Sequence, residues 1–295
     1  MIIDTHTHYC HRLYEGEFYY LGLDAGRLCI SRGGLPDVLS DMDKQGIPLC
    51  IEPSIGLDEI PRQTALEERF KGRFLTAFGV HPKRAMQTDI ERFSELRRYV
   101  LGGNAVAVGE TGLDYSVEAA EDDIAKQKLW FDMQTELSHE AHLPLILHIR
   151  DAYGDAIEML RKRRDILFGG AAHCFRGDFD AARALIDLGF ALGIGGKILD
   201  AGEEGRMLRD TVRRVPLSSI ILETDVPYIK PDIGHLGRSQ SQRNKTRNTS
   251  LILPTVLDTI ANIRAESRET VEKEIFLNTL RTFGLDAGKF GILTY

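Results

Sequence analysis

Short apolar runs alternate along the chain with stretches in which apolar residues recur every three or four positions. The runs Ile2–Asp4, Ile47–Glu52, Phe74–Val80, Ala105–Val108, Pro144–Ile149, Gly170–His173, Ala191–Ile194 and Ser219–Leu222 read as strands. They lack strict in–out alternation, as expected for strands buried on both faces. Helical periodicity fills the intervals at Pro36–Gln45, Ile60–Phe70, Ile90–Val100, Ala119–Ala141, Ala152–Arg164, Asp178–Leu188 and Glu203–Val215. Two further helices follow, Leu251–Ile263 and Glu269–Thr282. Pro36 and Pro61 fall in first turns, where the missing N–H costs nothing. Strand then helix, eight times over, predicts an α/β fold of the (β/α)8 TIM-barrel type. A doubly wound sheet shares the alternation, and the count of eight favours the barrel. No Pro/Ser/Gly-rich linker divides the chain, so residues 1–295 read as a single domain.

Two connections stand out by length. Tyr9–Leu35, after the first strand, carries Tyr9, Tyr14, Phe18, Tyr19 and Tyr20. Pro231–Ser250, after the last strand, is polar and basic, with Arg238, Arg243, Lys245 and Arg247. In a barrel both lie on the C-terminal face, where active sites are built. The aromatics of the first loop either stack nucleic-acid bases or cap the barrel as a hydrophobic cluster.

Composition narrows the class. With 43% apolar and 27% charged residues, the chain is an ordinary globule, which excludes disorder as its main state. No apolar run approaches the ~20 residues that span a bilayer. The first ten residues lack the basic and apolar regions of a secretory signal, so a cytoplasmic location is expected. Four cysteines without a C-x-x-C pair support neither a disulfide framework nor a cysteine zinc site. A net charge of −7 argues against coating nucleic acid non-specifically, but not against gripping a few phosphates at one mouth.

Ligand-type residues gather where the strands end. His6 and His8 follow strand one, and their i, i+2 spacing sends both imidazoles to one face of an extended chain. His81 ends strand three, Glu110 strand four, His148 strand five, His173 strand six and Asp225 strand eight. A lone histidine at a strand end is ordinarily a hydrogen-bonded or half-exposed residue. Six ligand types (His6, His8, Glu110, His148, His173 and Asp225) at the same end of five strands do not arise from packing. Imidazoles with carboxylates suit Zn, Mn, Mg, Fe or Ni, and this set exceeds one tetrahedral ion. A shared carboxylate holding two divalent cations uses all six, and such a pair activates water for hydrolysis.

The segments IIDTHTH, FGVHP (78–82), VGETGLDY (108–115), LPLILHIRDA (143–152), HCF (173–175) and LETDVPY (222–228) occur in an order that resembles the TatD family of metal-dependent hydrolases, within the amidohydrolase-like barrels. The resemblance implies His6, His8, Glu110 and Asp225 around one metal. Glu110, His148 and His173 would hold a second, with Glu110 bridging. It also implies phosphoester hydrolysis, commonly 3′→5′ exonuclease action on DNA, as a transient partner. The long loop after strand one departs from the family pattern, as does Arg247-Asn248-Thr249-Ser250, where the family has arginine–asparagine–glutamate–proline.

Further residues are expected at the mouth. Asp225 would take the proton of the attacking water, and His81, Arg150 and Lys197 would neutralise phosphate charge. His81 is alternatively a loop histidine fixed by Pro82, and Arg150 a helix-start ion pair. Tyr228 is a candidate substrate contact and Asp114 a loop brace. Asp4 is expected to orient a ligand imidazole. The alternative function is a metal-dependent amidohydrolase or lactonase acting on a small acyl substrate. Many such barrels bridge their metals with a carboxylated lysine on strand four, where this chain has Glu110.

Overall fold

The computed structural model describes residues 1–116, 120–234, 236–237, 239–286 and 288. Ala119, the first residue of the predicted long helix, and Arg238 of the basic loop lie outside these described residues. The strands are β1 (Ile3–Asp4), β2 (Phe18–Asp24), β3 (Arg27–Gly33), β4 (Leu49–Pro53), β5 (Phe74–Ala77), β6 (Val108–Asp114), β7 (Leu145–Arg150), β8 (Gly170–His173), β9 (Phe190–Ile194) and β10 (Ile220–Leu222). The helices are α1 (Leu35–Lys44), α2 (Ile60–Arg69), α3 (Pro82–Ala85), α4 (Phe93–Leu101), α5 (Glu121–Ala141), α6 (Tyr153–Lys162), α7 (Phe179–Asp187), α8 (Glu203–Arg214), α9 (Gln240–Lys245), α10 (Leu253–Arg264) and α11 (Arg268–Phe283).

Parallel pairing runs β1–β4–β5 and, separately, β6–β7–β8–β9–β10. Backbone hydrogen bonds join the two arcs at both seams. Val106 N donates to Thr76 O (2.9 Å) and Gly109 N to Phe78 O (3.0 Å). At the other seam Thr5 N donates to Leu222 O (3.0 Å) and Asp225 N to His6 O (2.9 Å). The ring therefore closes as the predicted TIM barrel, with no free edge among its parallel strands.

Its interior is a layer of Ile3, Leu49, Ile51, Leu75, Ala77, Ala107, Ile146, Ala171, Ala191 and Ile221, at least one residue from each staff of the barrel. Phe276 and Phe283 of α11 join this layer and stopper the end opposite the site. Two-residue periodicity then carries the inward phase to the mouth: Ile146 leads to His148, Ala171 to His173 and Ala77 through Gly79 to His81. Two strands need a phase change. After β1 the chain bends at Thr5, so that His6 and His8 face inward in place of Thr5 and Thr7. In β6 the pairing with β7 shifts between Val108 and Thr111, a bulge that re-aims Glu110.

Glycine makes that bulge sterically possible. A Cβ on Gly109 would lie 2.6 Å from Ile146 Cβ, and one on Gly79 only 2.5 Å from the Gly109 carbonyl carbon. Gly109→Ala is expected to lower stability by about 1–3 kcal/mol through overpacking. A urea-denaturation midpoint that does not move would show that the neighbouring strands yield freely.

The segment predicted as the loop Tyr9–Leu35 instead contains a hairpin. β2 and β3 pair antiparallel with Asp24 opposite Arg27, leaving Ala25 and Gly26 as a two-residue turn, both at positive φ. Alanine rarely accepts that conformation, which is why the turn is hard to see in the sequence. The basic loop pairs with it: Leu21 N donates to Arg247 O and Arg247 N to Tyr19 O, both at 2.8 Å. The predicted helix Ile90–Val100 opens as a 3-10 turn (Ile90–Arg92) before α4, while the short α3 and α9 were not expected.

The loop aromatics cap the barrel. Tyr9, Tyr14, Phe18 and Tyr20 are each at most 5% exposed. Tyr14 contacts both Tyr9 and Phe18, with ring centroids at 4.8 and 5.4 Å. Tyr9 also packs on Phe74 of β5, and the Arg247 guanidinium lies over the Phe18 ring. These four side chains are too thoroughly packed to offer faces to bases, so the capping alternative is the one the structure shows for them, while Tyr19 is half-buried. Among the described residues, no helix is long and apolar enough to cross a membrane.

Candidate metal centre

The barrel brings His6, His8, Glu110, His148, His173 and Asp225 together in one cluster, four of them buried and His148 and Asp225 partly so. His6 Nε2 and His8 Nε2 lie 3.2 Å apart, and Glu110 Oε1 is 3.5 and 3.4 Å from them. Asp225 Oδ1 completes this group at 3.4 Å from His8 Nε2 and 3.9 Å from His6 Nε2. The other carboxylate oxygen, Glu110 Oε2, faces His148 Nδ1 at 3.4 Å and His173 Nε2 at 3.7 Å. One carboxylate thus presents a different oxygen to each of two donor groups.

The donors suit divalent cations. Two imidazole nitrogens at 3.2 Å cannot both direct lone pairs at each other without a proton or a cation between or beside them. His148 Nδ1 is buried and has no hydrogen-bond partner, as does His6 Nδ1. A nitrogen and carboxylate-oxygen set of this kind matches the preferences of first-row dications and of Mg. His81, Asp114 and His148 form a further grouping, in which Asp114 and one nitrogen of each histidine are already engaged. His81 Nδ1 accepts from Lys83 N (3.0 Å), and Asp114 Oδ2 accepts from His148 Nε2 (3.1 Å) with the Lys83 ammonium at 3.2 Å.

Electrostatics follow the same division. Burial alone would raise the Glu110 carboxyl, yet His6, His148 and His81 hold it well below the usual carboxylate range. Burial works against charge on His8, but Asp225 and Glu110 lift it to about 9. His173 is likewise raised to about 9 against burial, by Glu223, Asp225 and Glu110. Asp225 is lowered despite burial, chiefly by His173 and His8. Burial, then the neighbouring His148, depresses His81 to about 3.

Several partners were not legible as such. Glu223 Oε2 sits 3.2 Å from His173 Nδ1 and its Oε1 accepts from Cys174 N at 2.6 Å, which turns His173 Nε2 toward Glu110. Asp114 does the same for His148, a larger part than loop bracing. Buried Glu52 ties the chain after β1, accepting from Thr7 Oγ1 (2.7 Å), Tyr9 N (3.0 Å) and Cys10 N (2.7 Å). A carboxylate inside an apolar run, as in Leu49–Pro53 and Ile220–Thr224, was the available signal.

Asp4 corrects an expectation. It touches no imidazole; its Oδ1 accepts from Thr224 N (3.0 Å) and His6 N (3.3 Å). Its Oδ2 accepts from Thr224 Oγ1 and Ser250 Oγ, both at 2.6 Å. Asp4 therefore fixes the backbone at the β1–β10 seam, because its outward phase in β1 points away from the mouth. Asn248, Thr249 and Ser250 likewise serve packing: Asn248 Nδ2 donates to Ile229 O (2.5 Å) and Thr249 Oγ1 to Leu21 O (2.5 Å).

At the rim, Arg150 is exposed and has no salt-bridge partner among the described residues. Tyr228 is 52% exposed, with its ring edge-on to His8 at 5.4 Å. Lys197 lies in the adjoining cavity, where its ammonium is shared with Asp200 (3.0 Å) and Glu204 (3.6 Å). Lys83 and Arg84 line the mouth as well and carry no sequence signal, because they sit on a single-turn helix that begins directly after His81.

A family model described as TatD related DNase matches residues 3–284. The chain is 32% identical over 220 residues to a 3′-5′ ssDNA/RNA exonuclease TatD of Pantoea sp. (strain At-9b), covering 75% of this chain and 82% of that protein. It is also 32% identical over 211 residues to an uncharacterized metal-dependent hydrolase, YcfH, of Escherichia coli (strain K12), covering 72% and 74%. The crystal structure of YJJV, a TatD homolog from Escherichia coli K12, superposes with a TM-score of 0.77 at 25% identity, covering 97% of this chain and 98% of that one. With the family model matched from β1 to the end of α11, the chain belongs to the TatD-related DNase family of metal-dependent hydrolases.

Proposed function

We propose that the chain is a phosphodiesterase that uses two divalent cations to hydrolyse single-stranded nucleic acid from its 3′ end. The observation that carries this is the division of Glu110, with Oε1 among His6, His8 and Asp225 and Oε2 beside His148 and His173. On this reading His6, His8, Glu110 and Asp225 hold one cation, and Glu110, His148 and His173 the other. Cations so held supply Lewis acidity toward the ester and a lowered pKa for the attacking water.

The side chains around the cluster do the rest. Asp225, kept ionised by His173 and His8, accepts the water proton at its carboxylate. His81 Nδ1 is occupied by the Lys83 N–H, so its proton sits on Nε2, a neutral donor for a phosphoryl oxygen. Arg150 and Arg84 offset phosphate charge at the rim, while the exposed face of Tyr228 is placed to stack a base or sugar. The polynucleotide substrate is supported by the relative described as a 3′-5′ ssDNA/RNA exonuclease.

The test loads the purified chain with single defined cations. Single-stranded DNA, duplex DNA, a phosphomonoester, a carboxylic ester and a lactone are then assayed side by side. Shortening of the single strand that EDTA stops is expected. Turnover of the lactone or ester alone would overturn the assignment.

A further inference from the structure

We propose that a separate cavity, walled by α2 and by the chain that follows β1, binds a nucleoside monophosphate. The cavity, of about 410 Å³, falls within the ~300–1,000 Å³ typical of sites for a small ligand. It shares no lining residue with the two cavities over the metal-ligand cluster. The ligand class follows from the chemistry of the wall; that the metal centre releases such molecules rests on the proposed function.

α2 turns Arg62, Ala65, Leu66 and Arg69 to the cavity, an i, i+3, i+4, i+7 set that lies on one helix face. Over those seven residues the helix rises ~10.5 Å, so an arginine stands at each end of an apolar strip. Leu35 and Pro36, at the start of α1, extend the apolar wall. Tyr9 and Tyr14 add buried ring surface, and their hydroxyls are already engaged with Ser250 Oγ (3.0 Å) and Asn248 O (2.6 Å).

The two ends of the strip differ. At one, Arg62 has His11 for a neighbour. His11 Nδ1 accepts from Leu13 N (3.1 Å), so the neutral ring carries its proton on Nε2 as a donor. Burial, then Arg62, His8 and Arg247, hold His11 below the usual imidazole range, the mark of a positive field at this end. The lining carboxylate, Glu15, meets Arg62 at 3.1 Å with side chains 70% and 38% exposed, and so wet a contact yields readily to a phosphate. At the other end Arg69 is exposed and has no hydrogen-bond or ion-pair partner among the described residues; its guanidinium lies 4.9 Å from the centroid of the Phe70 ring. A nucleoside monophosphate uses all three parts. Its phosphate takes charge-assisted bonds from Arg62 and a bond from His11, its sugar and base lie on the apolar strip, and Arg69 stacks on the base. Inorganic phosphate leaves the strip and Arg69 unused, and an uncharged nucleoside leaves Arg62 unused.

Calorimetric titration of the full chain with 5′-dAMP, deoxyadenosine and inorganic phosphate tests this, after EDTA has removed any cation that would hold a phosphate at the barrel mouth. The nucleotide should bind at least about tenfold tighter than either fragment. Arg62→Ala and Arg69→Ala should each weaken it about tenfold, and only Arg62→Ala should weaken inorganic phosphate as well. Ala65 is exposed, so Ala65→Trp should fill the cavity and abolish nucleotide binding while the thermal midpoint and the cation-dependent cleavage of single-stranded DNA hold. Nucleotide binding that survives both Ala65→Trp and Arg69→Ala places 5′-dAMP elsewhere and overturns the inference. Deoxyadenosine or inorganic phosphate binding as tightly as 5′-dAMP overturns it too. No binding at millimolar 5′-dAMP does the same and leaves the proposed function standing. A chain that binds 5′-dAMP here and cleaves no single-stranded DNA would sink the proposed function and leave this site in place.

Discussion

Glu110→Gln is expected to lower kcat/KM on single-stranded DNA by about 1,000-fold or more and to reduce the divalent cation bound per chain. The Glu110 carboxylate faces both donor groups, with Oε1 3.4 Å from His8 Nε2 and Oε2 3.4 Å from His148 Nδ1. Glutamine keeps the shape but replaces one oxygen by an amide nitrogen that has no lone pair to offer. It also removes the negative charge that His6, His148 and His81 surround. Because the volume is conserved, the circular-dichroism spectrum should be unchanged, so the loss reads as chemistry. Undiminished turnover with a full complement of metal would refute the bridging part given to Glu110.

The second large effect concerns residues that touch ligands and not the substrate. Asp114→Asn and Glu223→Gln should each weaken cation binding about 10–100-fold. Asp114 accepts from His148 Nε2, which leaves Nδ1 bare toward Glu110, and Glu223 plays the corresponding part for His173 through Nδ1. An amide in either place can present its NH2 to the ring and reverse the tautomer. Calorimetric titration of the metal-free chain measures the loss. Raising the cation concentration should then restore much of the activity of both variants. Tight cation binding with low kcat would assign these carboxylates a different part.

How far these features were legible depended on how local their causes are. The eight strand–helix repeats follow from hydrophobic period alone, and the barrel strands overlap their predicted runs, except that β6 (Val108–Asp114) meets the predicted Ala105–Val108 only at Val108. The six ligand-type residues were visible because a parallel barrel delivers every strand end to one rim. Pairing was less accessible. Asp4 and Ser250 are separated by 246 positions and meet through a 2.6 Å hydrogen bond at the closing seam. The hairpin was missed because its turn is Ala25-Gly26, in which only the second residue advertises positive φ. Nothing in the sequence marks Lys83 and Arg84, which the short helix after His81 places on the wall of the site.

The amino-acid sequence by itself determined the alternating architecture, the apolar layer inside it and the chemical types that ring its mouth. These follow from two-residue and 3.6-residue periods, which are properties of short segments. Tertiary structure alone decided which oxygen of Glu110 faces which histidines, that Asp114 and Glu223 set the orientation of His148 and His173, and that Tyr9, Tyr14, Phe18 and Tyr20 pack as a cap. It also decided the phase of His6, His8 and Glu110, since a bend at Thr5 and a bulge in β6 override the plain strand period. Closing eight strands into a ring sets those irregularities. Closure is a condition on the whole chain that no short window contains.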